Sequence, residues 1–271
     1  MAIIEPFAEV IAFVLSYLFD FISSYGFSIV LLTIVINIVI FPLTLKQTRS
    51  TKRMQDAQPE LQKLQKQHKD NKEELNKAVA GLYKEKGINP LGCIFPLIVQ
   101  MPVWFALFRV LRDPLIFLPK PSSLSSYLSG TTPLFFGMDL QTPPSDAVGV
   151  LERVPYLFLI LLVVLSALYQ QKQITKKGSK SDNPQAKQMQ TIGKVMPIFF
   201  GFISWTLPTG LVLYFLTGNI FRIGQQALIV KLDNKEIKTK EKIEEKEPKE
   251  EKKNEENPKN SRKNRKKRRR K

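Results

Sequence analysis

One cysteine, Cys93, and one histidine, His68, are all this chain holds of two residue types on which much protein chemistry rests. A lone Cys cannot close an internal disulfide, and one His with one Cys cannot assemble a tetrahedral metal site. No G-x-G-x-x-G, G-x-x-x-x-G-K-[ST] or G-x-S-x-G string occurs. Dinucleotide, P-loop and serine-hydrolase readings therefore lack their physical elements. No metal and no cofactor is expected, and the chain does not read as an enzyme.

Charge is also missing, but only in places. No Asp, Glu, Lys or Arg falls in 27–45, 154–171 or 195–221. The whole chain nevertheless carries 41 basic and 24 acidic residues among 271. An average composition thus hides a segregated sequence, and segregation of this kind is the mark of a membrane protein. Crossing a hydrocarbon core of about 30 Å takes about 20 mostly apolar residues in a helix. Five segments meet or approach that length: 27–45, 91–111, 154–171, 193–207 and 209–229. The last two flank Pro208 and read as a tight helical hairpin. The expected fold is an all-α polytopic membrane protein with five transmembrane helices.

The first 26 residues are apolar but carry Glu5, Glu9 and Asp20 and no basic residue. They lack the basic start and small-residue cleavage site of a signal peptide. An interfacial helix suits the acids better than a span, although the segment is long enough to cross. Loop charges set the orientation. Segment 46–90 has 11 basic residues against 6 acidic, and 172–194 has 6 against 1. Segment 113–153 has only Lys120 and Arg153 against four acids. Lys and Arg mark the cytoplasmic side, which puts the N-terminus outside, 113–153 outside and the C-terminus in the cytoplasm.

Within the basic segment, 47–88 shows helical spacing. Met54, Leu61 and Leu64 form one apolar run, and Leu75, Val79 and Leu82 another. A cytoplasmic hairpin of two thinly packed amphipathic helices is expected there, either as a plain connector or as a docking platform.

Polar residues inside the spans are costly and by default face the bundle interior or a wet cavity. Thr33 and Asn37 share a helical face in the first span, and Gln100 lies between Pro96 and Pro102 in the second. Gln170 ends the third, and the hairpin adds Ser204, Trp205, Thr206, Thr217 and Asn219. Singly, each reads as an interhelical hydrogen bond worth under about 1 kcal/mol. Together they read as one hydrated surface. Arg222 lies near the cytoplasmic end of the last span, where snorkelling and anchoring are expected of it. Arg109 and Arg112 close the second span against the charge rule, and Asp113 or lipid phosphate is their expected partner. No Asp or Glu in the spans could carry a proton, which argues against an ion-coupled transporter.

Several strings resemble the YidC/Oxa-type membrane protein insertases. They are FPLTLKQTRSTKRMQ at 41–55, QPELQ at 58–62, LYKEKGINPLGCIFPLIVQMPVWFALFRVL at 82–111 and WTLPTGLVLYFLTGNIF at 205–221. The likeness runs over about 25–230 and omits the outer loop. It implies a 27–230 core of five transmembrane helices around a hydrophilic groove, open to cytoplasm and lipid but sealed on the outer side, and an insertase and chaperone rather than an enzyme. Its partners would be nascent membrane proteins, the lipid bilayer and a Sec-type translocon, in a bacterial plasma (inner) membrane. Groove positions carried over by the resemblance are Thr33, Gln100 and Trp205, with Tyr214 and Phe215 as aromatic residues on the substrate path. Gln170 and Ser204 join them from the polar-residue reading. One departure stands out, because the family's usual Arg five residues before Pro42 is Asn37 here. Asn contributes an amide but no net charge, so a groove guided mainly by hydration and apolar contact is expected.

From Lys231 onward the chain is Lys/Glu-rich, with 19 basic and 10 acidic residues, and reads as a disordered tail over 231–271. It ends in Arg262, Lys263, Arg265, Lys266, Lys267, Arg268, Arg269, Arg270 and Lys271. Such a run binds anionic surfaces, either the inner leaflet or ribosomal RNA; with the resemblance, the ribosome is the expected partner. The alternative to an insertase is a membrane-tethered ribosome-binding anchor without insertase activity.

Overall fold

The structure is a computed structural model that describes residues 4–69, 71–88, 95–175 and 195–255. It is mostly helical and divides into two compact units, residues 1–224 and 225–271.

The first unit opens with α1 (Glu5–Ile22), which buries Ala8, Ile11, Ala12, Leu15, Ser16 and Phe19 along one face. The spacing of three and four residues is that of a single helical stripe. Phe7, Val10, Phe13, Tyr17 and Phe21 on the other faces are exposed and equally apolar. Ser23 ends α1 in the left-handed conformation (φ 54°), its N–H donating to the Phe19 carbonyl at 2.7 Å. Two residues later α2 (Tyr25–Asp56) begins. The helices diverge from this corner and leave an apolar cleft of about 470 Å³ between Phe7, Val10 and Val14 on one side and Leu32, Val35 and Val39 on the other.

α2 is 32 residues long, and it is one of two helices among the described residues that are long and apolar enough to cross a membrane; α8 (Val150–Thr175) is the other. α2 stops at Asp56 because Pro59 has no N–H to give the Gln55 carbonyl, so α3 (Gln58–Gln67) starts afresh after Ala57. The sequence reading had run Met54 and Leu61 together on one helix. They fall on separate ones. α4 (Lys72–Glu85) is capped by Asn71, whose side-chain oxygen accepts from the Glu73 and Glu74 N–H groups at 3.2 Å. α3 and α4 are joined by the Lys86–Glu60 ion pair and bury little, only Leu82 between them being fully enclosed.

α5 (Phe95–Arg112) places Ala106, Leu107, Val110 and Leu111 in the core beside α1 and α2. Short helices α6 (Pro114–Phe117) and α7 (Ser123–Gly130) follow, the latter opened by a reciprocal Ser122–Ser125 capping box. Arg109 does not turn to Asp113. It lies 3.8 Å from Glu5 and 4.9 Å above the Phe117 ring, tying the start of α1 to the end of α5.

A two-stranded ribbon, β1 (Leu134–Phe135) and β2 (Met138–Asp139), turns through Phe136 and Gly137, both at positive φ. It belongs to a cap that closes one end of the bundle. The Phe135 ring lies over Gly26, where a β-carbon would come within 2.2 Å of it. The Asp139 N–H donates to Tyr156 Oη of α8 at 2.8 Å. α9 (Val195–Ser204) and α10 (Thr209–Glu255) meet at a turn that the cap also holds. There, Ser145 N–H donates to the Trp205 carbonyl, Thr209 N–H to Thr142 and Gly210 N–H to Leu140, at 3.1, 3.1 and 2.8 Å.

The second unit is the remainder of α10. The tail expected to be disordered from Lys231 is helical as far as Glu255. A scarcity of apolar side chains forbids a packed core, but Lys and Glu are good helix formers in their own right, and pairs such as Glu236–Lys240 have favourable spacing. Residues 256–271, with the terminal basic cluster, lie outside the described residues.

Candidate functional site

Away from the capped end, polar side chains of four helices face the interior of a bundle whose outer faces are apolar. Leu31, Val35, Ile38 and Val39 of α2 are exposed, as are Leu157, Phe158, Leu161 and Leu165 of α8 and Val195, Ile198, Phe199 and Phe202 of α9. Apolar exposure on this scale is stable in lipid and not in water. The chain is a membrane protein.

Thr33 is wholly buried, and its hydroxyl donates to the Ile29 carbonyl at 2.7 Å. Asn37, one turn on, is half-buried and donates its amide to the Thr33 carbonyl at 2.7 Å. Both side chains are thus partly satisfied by their own helix. Across the interior, Gln100 Nε2 of α5 donates to Tyr214 Oη of α10 at 3.2 Å. One turn below Tyr214, Gly218 faces α2, where a β-carbon would lie 3.8 Å from Thr33 Cγ2, an ordinary contact distance. A further turn on is Arg222.

Arg222 is the residue that sequence reasoning misplaced. Its guanidinium does not run toward the C-terminal end of the helix as a snorkelling side chain would. Nη2 sits 3.4 Å from where a Gly218 β-carbon would be, and it donates to Asn219 Oδ1 at 3.2 Å. Nε is buried without a partner. Asn219 is itself held by α8, donating to Ser166 Oγ at 3.2 Å and to the Val163 carbonyl at 3.5 Å. Helical side chains lean toward the N-terminus of their helix. For a helix running from the capped end, that lean carries the cation inward along the bundle. The signal was present in the sequence as Tyr214, Gly218 and Arg222 at successive steps of four.

Of the eight groove positions expected from sequence, Gln100 and Tyr214 are joined directly, and Thr33 and Asn37 lie on the α2 face that Gly218 approaches. Ser204 and Trp205 are not at this level. Ser204 is buried and donates to the Phe200 carbonyl at 2.7 Å, and the Trp205 carbonyl belongs to the capped turn. Phe215 faces Phe200 of α9, ring centres 6.2 Å apart. Gln170, half-buried near the far end of α8, hydrogen-bonds none of the cluster among the described residues. Among those residues no group of His, Cys, Asp or Glu is arranged to hold a metal.

The family model described as 60Kd inner membrane protein matches residues 17–255. A Fusobacterium nucleatum protein named membrane protein insertase YidC is 36% identical over 223 residues, covering 82% of this chain and 94% of the relative. A Pelobacter propionicus protein of the same name is 34% identical over 84% of this chain. The chain spans only 39% of that second relative's length. The Inner membrane ALBINO3-like protein 2, chloroplastic, of Chlamydomonas reinhardtii is 34% identical over 75% of this chain and 49% of its own. Among solved structures, the active YidC insertase crystal structure with its first transmembrane domain resolved superposes with a TM-score of 0.53 at 22% identity. It covers 77% of this chain and 42% of that one.

Proposed function

Given that the chain belongs to the YidC/Oxa-type family of 60Kd inner membrane proteins, we propose that it inserts membrane proteins into the bilayer and assists their folding. The observation that carries this reading is the polar cluster of Thr33, Gln100, Ser166, Tyr214, Asn219 and Arg222, contributed by four helices and enclosed by apolar outer faces.

Five crossings are proposed, by α2, α5, α8, α9 and α10, with the cap outside and the α3–α4 hairpin and the tail in the cytoplasm of a bacterial inner membrane. Loop charge supports that orientation. α1 is taken to lie at the outer interface. Its first turn reaches Arg109 near the end of α5, and Asp20 lines a polar cleft with Pro119, Ser122 and Ser126.

The mechanism is a matter of solvation. A polar flank crossing about 30 Å of hydrocarbon must shed its water. A polar surface partway into the bilayer shortens that barrier, and the cap bounds the outer end. The apolar part of the substrate then leaves sideways into lipid, at about 25 cal/mol per Å² of apolar surface removed from water. No nucleotide hydrolysis is required. Thr33, Asn37, Gln100 and Tyr214 line the proposed groove; Ser204 and Trp205 support its closed end, and Phe215 and Gln170 flank it. Ribosomes are proposed to engage the basic run 262–271, and a Sec-type channel to act beside the insertase on some substrates.

The test is protease protection of a single-span substrate translated beside liposomes containing this protein alone. Protection of the translocated tail is the expected result. Its absence, with ribosome binding intact, would replace the insertase by a ribosome-binding anchor.

A further inference from the structure

We infer that the polar cleft between α1 and the start of α7 binds a membrane lipid whose headgroup carries a primary ammonium, of the phosphatidylethanolamine class. The inference rests on the placement of α1 at the membrane interface and not on the insertase reading.

The cleft has a volume of about 550 Å³, within the range of small-ligand sites. Ser16 and Asp20 of α1 line one side, and Ser122, Ser123 and Ser126 line the other. Ser16 is 4% exposed, and among the described residues its hydroxyl has no hydrogen-bond partner. Ser28, Ser129 and Ser204 each bond back to the carbonyl four residues earlier, at 2.7, 2.8 and 2.7 Å. Ser16 does not, although its helix offers the same kind of acceptor. A buried hydroxyl left open on a cleft calls for a ligand. Among the described residues Asp20 is the only charged group lining the cleft, and no Lys or Arg pairs with it. Lys120 falls between two lining prolines but does not line the cleft itself. A carboxylate and several hydroxyls together present acceptors around one negative charge. A primary ammonium supplies three N–H donors to such a set, and a choline head supplies none.

The rest of the lining says that the ligand is a lipid. Phe13 and Tyr17 also border the cleft, and both belong to the exposed apolar face of α1 that Phe21 continues. A molecule filling the site is therefore cationic at one end and apolar along the other. By helical spacing Glu5, Glu9 and Asp20 share one flank of α1 with Ser16, between the buried stripe and that apolar face. A helix so divided lies with its polar flank toward headgroups and its apolar face toward acyl chains. The start of α7 adds backbone donors. The Ser122–Ser125 capping box and the Ser126–Ser122 bond leave the N–H groups of Ser123 and Leu124 without a partner among the described residues. The positive end of a helix beside the ammonium subsite suits the lipid's own phosphate.

The test titrates the full chain in detergent with phosphatidylethanolamine, phosphatidylcholine and phosphatidylglycerol, and counts retained lipid by native mass spectrometry. One phosphatidylethanolamine per chain is expected to be held about tenfold more tightly than either of the others. Asp20→Asn should remove that preference and Ser16→Ala should weaken it. Ser126→Phe, which fills the cleft, should block retention, whereas Glu9→Gln, on the same flank but outside the cleft, should leave it intact. Unchanged helicity by circular dichroism shows that the variants are folded. Equal retention of phosphatidylethanolamine and phosphatidylcholine, or a preference that survives Asp20→Asn, overturns the site. A preference lost as fully with Glu9→Gln does the same, since general charge on the flank would then explain it. Displacement by an equal concentration of soluble glycerophosphoethanolamine overturns the lipid, because the Phe13 and Tyr17 face would contribute nothing. Insertion by the same variants is followed in parallel. Selective retention without insertion leaves the lipid site standing and defeats the insertase reading, whereas insertion without selective retention does the reverse.

Discussion

Gln100 and Tyr214, 114 positions apart in the chain, meet through a hydrogen bond of 3.2 Å that joins α5 to α10 in the interior of the bundle. Interhelical bonds of this kind are individually weak in membranes, so the pair matters more for where it places the Tyr214 proton than for stability. Tyr214→Phe is expected to cost about 1 kcal/mol, read as a small fall in the thermal unfolding midpoint in detergent. Insertion in the protease-protection assay should fall by a larger factor. A large stability loss with unchanged insertion would assign the tyrosine a packing role only.

The missing charge on α2 gives a second prediction. Thr33 and Gly218 meet where α2 and α10 come together, and both helices run from the capped end. Positions 37 and 222 each lie one turn further on. Asn37→Arg should therefore raise insertion of an acidic-tailed substrate in the protease-protection assay. Unchanged insertion would mean that a charge at position 37 is unimportant.

Close packing at the cap predicts a sharp contrast between two glycines. A β-carbon at Gly26 would lie 2.2 Å from the Phe135 ring, while one at Gly224 meets nothing within 4 Å. Gly26→Ala should destabilise by about 1–3 kcal/mol, the usual range for overpacking, and Phe135→Leu should recover part of the loss. Gly224→Ala should cause little change or a slight gain from helix propensity. Unfolding midpoints of the three variants decide the matter.

At the start of α10, the buried Thr209 hydroxyl donates to the Thr142 carbonyl at 2.7 Å. Thr209→Val keeps the shape and removes the donor, at an expected cost of about 1 kcal/mol. Hydrogen exchange should quicken in residues 140–146 and at the first turn of α10, while α3 and α4 remain unaffected.

Removing the chain after Asp233 should weaken ribosome co-sedimentation, and the binding that is lost should be the salt-sensitive part, because basic residues bind RNA largely through counterion release. Equal binding with and without the tail would dismiss the ribosome as partner of the basic run.

The sequence showed where apolar helices lie better than how they end or which way their side chains run. Runs without charge, such as 27–45 and 154–171, fall within α2 and α8, because a hydrocarbon environment leaves a mark on every residue of a span. The break after Asp56 was invisible to apolar spacing; it comes from one missing N–H, at Pro59. Arg222 was read by its depth in the last span, which hydropathy reports, and not by its direction, which follows its hydrogen bond to Asn219 and lies over Gly218 one turn above. Tail residues 231–255 were judged by whether they could form a core, and a solitary helix needs none. Ser204 was read into the groove by its polarity and Trp205 by the resemblance; in the structure Ser204 bonds back to the Phe200 carbonyl of its own helix, and the Trp205 carbonyl receives the Ser145 N–H of the cap.

The cap holds the α9–α10 turn through main-chain atoms, with the carbonyls of Leu140 and Thr142 receiving the first two N–H groups of α10 and the Ser145 N–H reaching Trp205. Contacts of this type are blind to side-chain identity. Leu140 and Pro144 are buried and must stay apolar, but the other residues of 140–146 can vary in character while the bundle end stays shut, provided that the spacing of those carbonyls is kept. Deleting a single residue between the two acceptors would shift one of them out of register with α10. Among relatives, the constraint on this loop should be seen in its length as much as in its letters.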